Sequence, residues 1–261
     1  MTDTTTYTDT GTGDALVFLH GFCESKQVWE EFAKPLEQKF RIIALDLPGH
    51  GRHTSNLNSS TMSMEGMADH VKEQLDILGI RKCLMIGHSM GGYVTMAFAE
   101  KYSAMLTGIC LFHSSALPDT DEKKENRNKT IDYVERHGVV NFINPFVEPL
   151  FYRENRERLQ AEIELLKEIG RQTPQPAVLA ALAAMRDRPD RSQVLADLKC
   201  PVLFLFGKDD GAVPLEKALE QCHLPNNSTV CFLGKTGHMG MFERTYETRK
   251  ALEKFAETIY G

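Results

Sequence analysis

Short apolar runs and longer amphipathic segments alternate along this 261-residue chain. The runs Ala15–Leu19, Arg41–Leu45, Cys83–Ile86, Leu106–Phe112, Pro201–Phe206 and Thr229–Leu233 are rich in Val, Ile, Leu and Phe and bounded by polar residues. They predict strands covered on both faces. Between and after them, Val28–Lys39, Met64–Leu78, Met90–Lys101 and Phe242–Ile259 carry apolar residues at helical spacing. Strand and helix in alternation predict an α/β fold with a mostly parallel sheet and helices on both faces. In such a sheet ligands bind at the carboxyl ends of the strands.

The alternation lapses between Ala116 and Arg191, where helical patterns (Glu125–Arg136, Glu154–Ile169 and Ala177–Arg186) follow one another with no strand-like run among them. The chain therefore divides into a core of residues 1–115 and 192–261 and a helical insertion of residues 116–191. The insertion is dense in charge of both signs. Its helices are expected to turn a charged face to water and to bury Phe142, Phe146, Phe151, Leu165, Leu166, Leu179 and Met185 beneath.

Thirty Lys and Arg against 36 Asp and Glu give a formal charge of −6, which argues against nucleic acid and anionic membranes as partners. No apolar run approaches a membrane span. Met1–Asp14 has neither the basic nor the apolar part of an export signal. Six dispersed cysteines without a CxxC pair fit a reducing compartment, so the cytoplasm is the expected location.

The strongest chemical signal is Gly87-His88-Ser89-Met90-Gly91-Gly92, set between a strand and a helix. A sharp strand-to-helix turn needs small residues on either side of its centre and lifts the central hydroxyl clear of the sheet, which makes Ser89 a candidate nucleophile. Such a serine needs a base and a carboxylate to orient it. His238, in Gly237-His238-Met239-Gly240 after the last strand, stands where that base is expected. For the acid, Asp209 and Asp210 are both open at the end of the strand Pro201–Phe206, and Asp119 is a third candidate beyond Leu106–Phe112. An oxyanion requires fixed donors. The N–H of Met90 and the N–H of Phe22, in the turn His20-Gly21-Phe22, are the candidates, with His20 bracing that turn at the pocket's edge. Trp29, His113, Phe142, Phe146 and Met239 are further candidates for the substrate pocket.

Asp46, His50 and His53 imitate a metal-ligand spacing but sit in a Pro-Gly-His-Gly turn with no fourth ligand in view, and no dinucleotide fingerprint follows a strand. No metal and no cofactor are expected.

His20-Gly21-Phe22, Asp46-Leu47-Pro48-Gly49-His50-Gly51, Gly87 to Gly92, Gly207 to Pro214 and Gly237-His238, in that order, resemble the α/β-hydrolase fold superfamily, in its serine branch with a helical lid. The resemblance spans nearly the whole chain. It implies Asp210 as the acid, three residues after a strand-end glycine and four before a proline, with Ser89 as nucleophile and His238 as base. It likewise implies Phe22 N–H and Met90 N–H as the oxyanion hole. The function implied is a serine hydrolase of the carboxylesterase kind, acting on an ester or related acyl bond of a small, largely apolar molecule. Carbon–carbon hydrolases, lactonases, thioesterases and perhydrolases share the same triad, and a small-ligand receptor shares the same pocket.

Overall fold

The computed structural model describes residues 5–54 and 60–261. Seven strands form one sheet: β1 (Tyr7–Thr10), β2 (Ala15–Leu19), β3 (Arg41–Leu45), β4 (Cys83–His88), β5 (Leu106–Phe112), β6 (Val202–Gly207) and β7 (Ser228–Leu233). Their order in space is β1-β3-β2-β4-β5-β6-β7. β1 runs antiparallel to β3, and the other pairs are parallel. The described α-helices are α1 (Glu30–Ala33), α2 (Met64–Ile77), α3 (Met90–Tyr102), α4 (Asp121–His137), α5 (Val139–Val147), α6 (Gln160–Gln172), α7 (Gln175–Asp187), α8 (Ser192–Asp197), α9 (Leu215–Leu219), α10 (Gly240–Glu243) and α11 (Thr245–Tyr260).

Every residue of β2, β4 and β6 is buried, the condition that even runs of Val, Ile, Leu and Phe satisfy and alternating runs do not. Here the chain pairs β3 on one side of β2 and β4 on the other. The strand order thus reverses at β2, and a crevice opens above the carboxyl ends of β2 and β4. The Gly21 turn leaves one of those strands and the Ser89 turn leaves the other.

Tyr7–Thr10, in a Thr-rich stretch where no element was expected, is a half-exposed edge strand; Thr and Tyr suit that pleated edge. Two expected helices are broken for physical reasons. The helix expected over Val28–Lys39 is broken into a 3-10 turn, the four-residue α1 and a second 3-10 turn, because Pro35 withholds an N–H and restricts the residue before it. The helix expected over Phe242–Ile259 is two, α10 and α11, divided at Arg244, whose φ of −137° and ψ of 51° leave the helical region.

Between β5 and β6 the chain forms α4 to α8 and returns on itself, with Arg191 N–H donating to Ala116 C=O at 2.9 Å. The Arg191 guanidinium is buried and faces Glu65 of α2 and Glu100 of α3, which pins the return point to the sheet's covering helices. Among the described residues no helix is long and apolar enough to cross a membrane. The six cysteines are free.

Candidate active site

Ser89 follows β4 directly and precedes α3, with φ of 49° and ψ of −116°. An L-residue rarely adopts a positive φ, so the surroundings must impose it. They do so by close packing. A Cβ on Gly91 would overlap the carbonyls of Leu19 and His20 in β2 and its turn, and one on Gly87 would overlap Gly91 C=O and Thr95 Oγ1. Ser89 N–H donates to Phe112 C=O of β5 at 3.1 Å, and its own carbonyl accepts Gly92 N–H at 2.9 Å and Ser114 Oγ–H at 2.7 Å. The backbone is held on every side while the side chain faces a cavity.

Of the three candidate carboxylates the structure brings Asp210 to His238, with 2.8 Å between Oδ2 and Nδ1. Asp209 is exposed one residue away. Asp119 is engaged by two guanidiniums, Arg127 Nε and, at 2.8 Å, Arg188 Nη1. The Asp210 Oδ1 accepts Ala212 N–H and Val213 N–H at 2.8 and 3.0 Å. Its Oδ2 accepts a second imidazole, His113 Nδ1–H, at 3.0 Å. Burial alone would push the Asp210 carboxyl up; the charge of His238 and the hydrogen bonds from His113 and His238 outweigh burial and hold it well below the carboxylate range. With Nδ1–H turned to Asp210, His238 presents Nε2 as its free ring nitrogen.

His113, expected on the pocket wall, lies instead behind Asp210 with no exposed surface. Burial lowers its pKa to about 4, so at neutral pH it is an uncharged donor. His113, Asp210 and His238 form a set that could hold a metal ion, yet both Nδ1 atoms converge on one oxygen, and a cation there would have to displace two hydrogen bonds.

A second buried pair was missed by reading the sequence. Glu24 Oε2 accepts Gly21 N–H at 2.7 Å and lies 3.1 Å from His88 Nδ1, and His88 Nε2 lies 3.0 Å from His238 C=O. Burial opposes both charges, but the Glu24 carboxylate raises the His88 pKa, and the His88 charge lowers that of Glu24. A protonated His88 thereby donates from both nitrogens and ties the turn after β2 to the loop carrying His238. Glu24 and His88 are 64 positions apart, and nothing in their sequence spacing announces the contact.

Phe22 N–H has no acceptor among the described residues, and Met90 N–H, first in α3, has no intrahelical one. His20 is fully buried, receiving Leu47 N–H on Nε2 at 3.0 Å and giving its Nδ1–H to Gly21 C=O at 2.8 Å. It fixes the turn and does not reach the cavity. The Asp46 loop closes on itself, the carboxylate accepting Lys26 N–H and Arg52 N–H, each at 2.8 Å.

The cavity measures about 260 Å³ and is lined by Ser89 and His238 together with Phe22, Phe142, Phe146, Leu182 and Met185. Phe142 and Phe146, one turn apart on α5, stack at 4.9 Å and meet the Phe22 ring at 6.2 and 6.0 Å. Trp29 does not line it. Its ring is enclosed by Phe18, Phe112 and Phe32 at 5.1, 5.5 and 5.6 Å, beneath the sheet's end. Met239 is fully buried beside His238 and likewise stays off the wall. The lining also includes, unanticipated, Lys123, Asn126, Arg127 and Thr130 of α4, and Glu24.

The sequence profile of the family described as alpha/beta hydrolase fold matches residues 14–245, and the chain belongs to that family. A thermophilic esterase from Thermogutta terrifontis, solved with malate bound, superposes with a TM-score of 0.91 at 30% identity, covering 98% of this chain and 93% of that one. The 2-hydroxy-6-oxononadienedioate/2-hydroxy-6-oxononatrienedioate hydrolase of Burkholderia vietnamiensis is 27% identical over 95% of this chain and 89% of its own. The pimeloyl-[acyl-carrier protein] methyl ester esterase of Vibrio atlanticus is 27% identical over 84% of each.

Proposed function

We propose that this protein is a cofactor-independent serine hydrolase that cleaves an ester through an acyl-enzyme at Ser89. The observation that carries the reading is the Asp210 Oδ2 to His238 Nδ1 contact of 2.8 Å, with Ser89 and His238 lining one cavity. In the first half-reaction Ser89 Oγ attacks the carbonyl carbon while His238 Nε2 takes its proton. The oxygen that gains charge accepts Phe22 N–H and Met90 N–H. His238 then gives the proton to the leaving alkoxide, and the acyl group remains on Ser89. In the second half-reaction His238 takes a proton from water, hydroxide attacks the same carbon, and Ser89 recovers its proton as the acid leaves. Asp210 stays ionised throughout and stabilises the imidazolium.

The segment 116–191 acts as a lid, supported by the position of α4, α5 and α7 around the cavity that holds Ser89. An ester is favoured over other acyl bonds by the esterase from Thermogutta terrifontis, similar to this chain along nearly its whole length.

The test is hydrolysis of p-nitrophenyl esters from acetyl to dodecanoyl, with Ser89→Ala as background. Turnover by the native protein that drops by roughly 10⁴-fold or more in a folded Ser89→Ala variant is expected. Equal rates in the two would overturn the proposal.

A further inference from the structure

α4 is an odd helix to find over an apolar cavity. Val134 is its sole buried residue, and the residues it contributes to the cavity lining are Lys123, Asn126, Arg127 and Thr130. Those positions, at i, i+3, i+4 and i+7, form one stripe. A helix that merely roofed the cavity would turn an apolar stripe inward; this one turns two cations, an amide and a hydroxyl.

The charge around the stripe does not cancel. Asp119 is the counter-ion, and it serves both Arg127 and Arg188. Arg188 is spent on the fold, donating to Met185 C=O and to Leu117 C=O at 3.0 Å and lying 3.9 Å over the Tyr93 ring. Lys123 Nζ donates to Ala212 C=O at 2.8 Å. Arg127 is held only through Nε, so its terminal nitrogens have no acceptor among the described residues. Glu24 is the other acid on the cavity, and its Oε2 is turned to His88 Nδ1 at 3.1 Å and to Gly21 N–H at 2.7 Å. A second cavity of about 180 Å³ meets the first at Tyr93 and Lys123; there Lys217 is paired with Glu220. The cavity thus joins a phenylalanine wall to a wall with excess positive charge and an unengaged guanidinium fork.

We propose that the natural substrate is an acyl compound whose acid portion ends in a carboxylate, bound by Arg127 and Lys123 while its methylene chain lies against Phe142 and Phe146. The planar fork of Arg127 suits a carboxylate, and Asp119 holds the guanidinium in place for it. This rests on the hydrolase reading and replaces the largely apolar substrate expected from sequence by an amphipathic one.

The experiment compares mono-p-nitrophenyl adipate with p-nitrophenyl hexanoate, which carries a methyl in place of the carboxylate. The readout is the ratio of their kcat/KM values. The native ratio is expected to favour the adipate and to fall roughly 10- to 100-fold in Arg127→Gln, the range of one charge-assisted hydrogen bond. Lys123→Met lowers it less, Arg127→Lys restores part of it, and Lys129→Gln, on the exposed face, leaves it alone. A ratio near one, or one indifferent to Arg127→Gln and Lys123→Met, overturns the proposal and spares the hydrolase reading. Calorimetric titration of Ser89→Ala with monomethyl adipate separates the two claims. Arg127-dependent binding without native turnover of either ester would keep the carboxylate site and defeat the hydrolase reading; neither binding nor turnover would defeat both.

Discussion

Glu24→Gln isolates the buried pair beneath the site. The substitution keeps the side chain's shape and an acceptor for Gly21 N–H, and removes the charge that holds the proton on His88. Both groups are buried and lie 3.1 Å apart, so the native protein loses a desolvated ion pair. Removing one partner of such a pair costs about 3–5 kcal/mol, and His88 can relieve part of it by losing its proton, so ~3 kcal/mol is expected. For a chain of this size that lowers Tm by roughly 6–12 °C. The loss depends on pH. The His88 pKa is raised above its ordinary 6.5, so its contribution is complete below 6.5 and fades as pH rises through the higher folded value. That of Glu24 is lowered below 4.5, so its contribution is complete above 4.5 and fades as pH falls through the lower one. The Tm difference between native and Glu24→Gln proteins, measured by scanning calorimetry, should therefore be greatest between pH 4.5 and 6.5 and shrink on either side. A difference flat with pH, or one that widens above 6.5, would refute the ion pair.

His113 titrates the other way. Its folded pKa of about 4 lies below the ordinary 6.5, so the native state loses stability as pH falls between those values. His113→Asn, which tolerates the φ of 48° at this position, should remove a slope of about 1.4 kcal/mol per pH unit from urea-unfolding data in that window; an unaltered slope would contradict a neutral buried imidazole. Gly91→Ala should drive a methyl into the Leu19 and His20 carbonyls and cost about 1–3 kcal/mol or more; a native Tm in that variant would show that the turn has room the structure denies.

The sheet's interior was legible because β2, β4 and β6 are buried on both faces and their residues say so. β1 was not, since an exposed edge strand of Tyr and Thr has no apolar signature. Ser89 and His238 could be placed by the turns that carry them, whereas spacing left Asp209, Asp210 and Asp119 level until the resemblance singled out Asp210. The pocket was half legible. Phe142 and Phe146 declare themselves as apolar residues one turn apart, but Trp29 and Met239 are equally apolar and pack inside. Lys123 and Arg127 belong to a charged helical stripe of the kind that usually faces water; only the arrangement of α4 against α5 and α7 brings them to the cavity. Glu24 and His88 meet through the tertiary fold alone.

In the proposed mechanism Ser89 is an activated nucleophile. Treatment with a p-nitrophenyl phosphonate ester, which transfers its phosphorus to an activated serine and releases p-nitrophenolate, followed by intact-mass and peptide mass spectrometry, tests it most directly. One adduct per chain is expected, on Ser89, formed much more slowly in Asp210→Asn and absent in Ser89→Ala. An adduct on another residue, or labelling of native and Ser89→Ala proteins to the same extent, would contradict it.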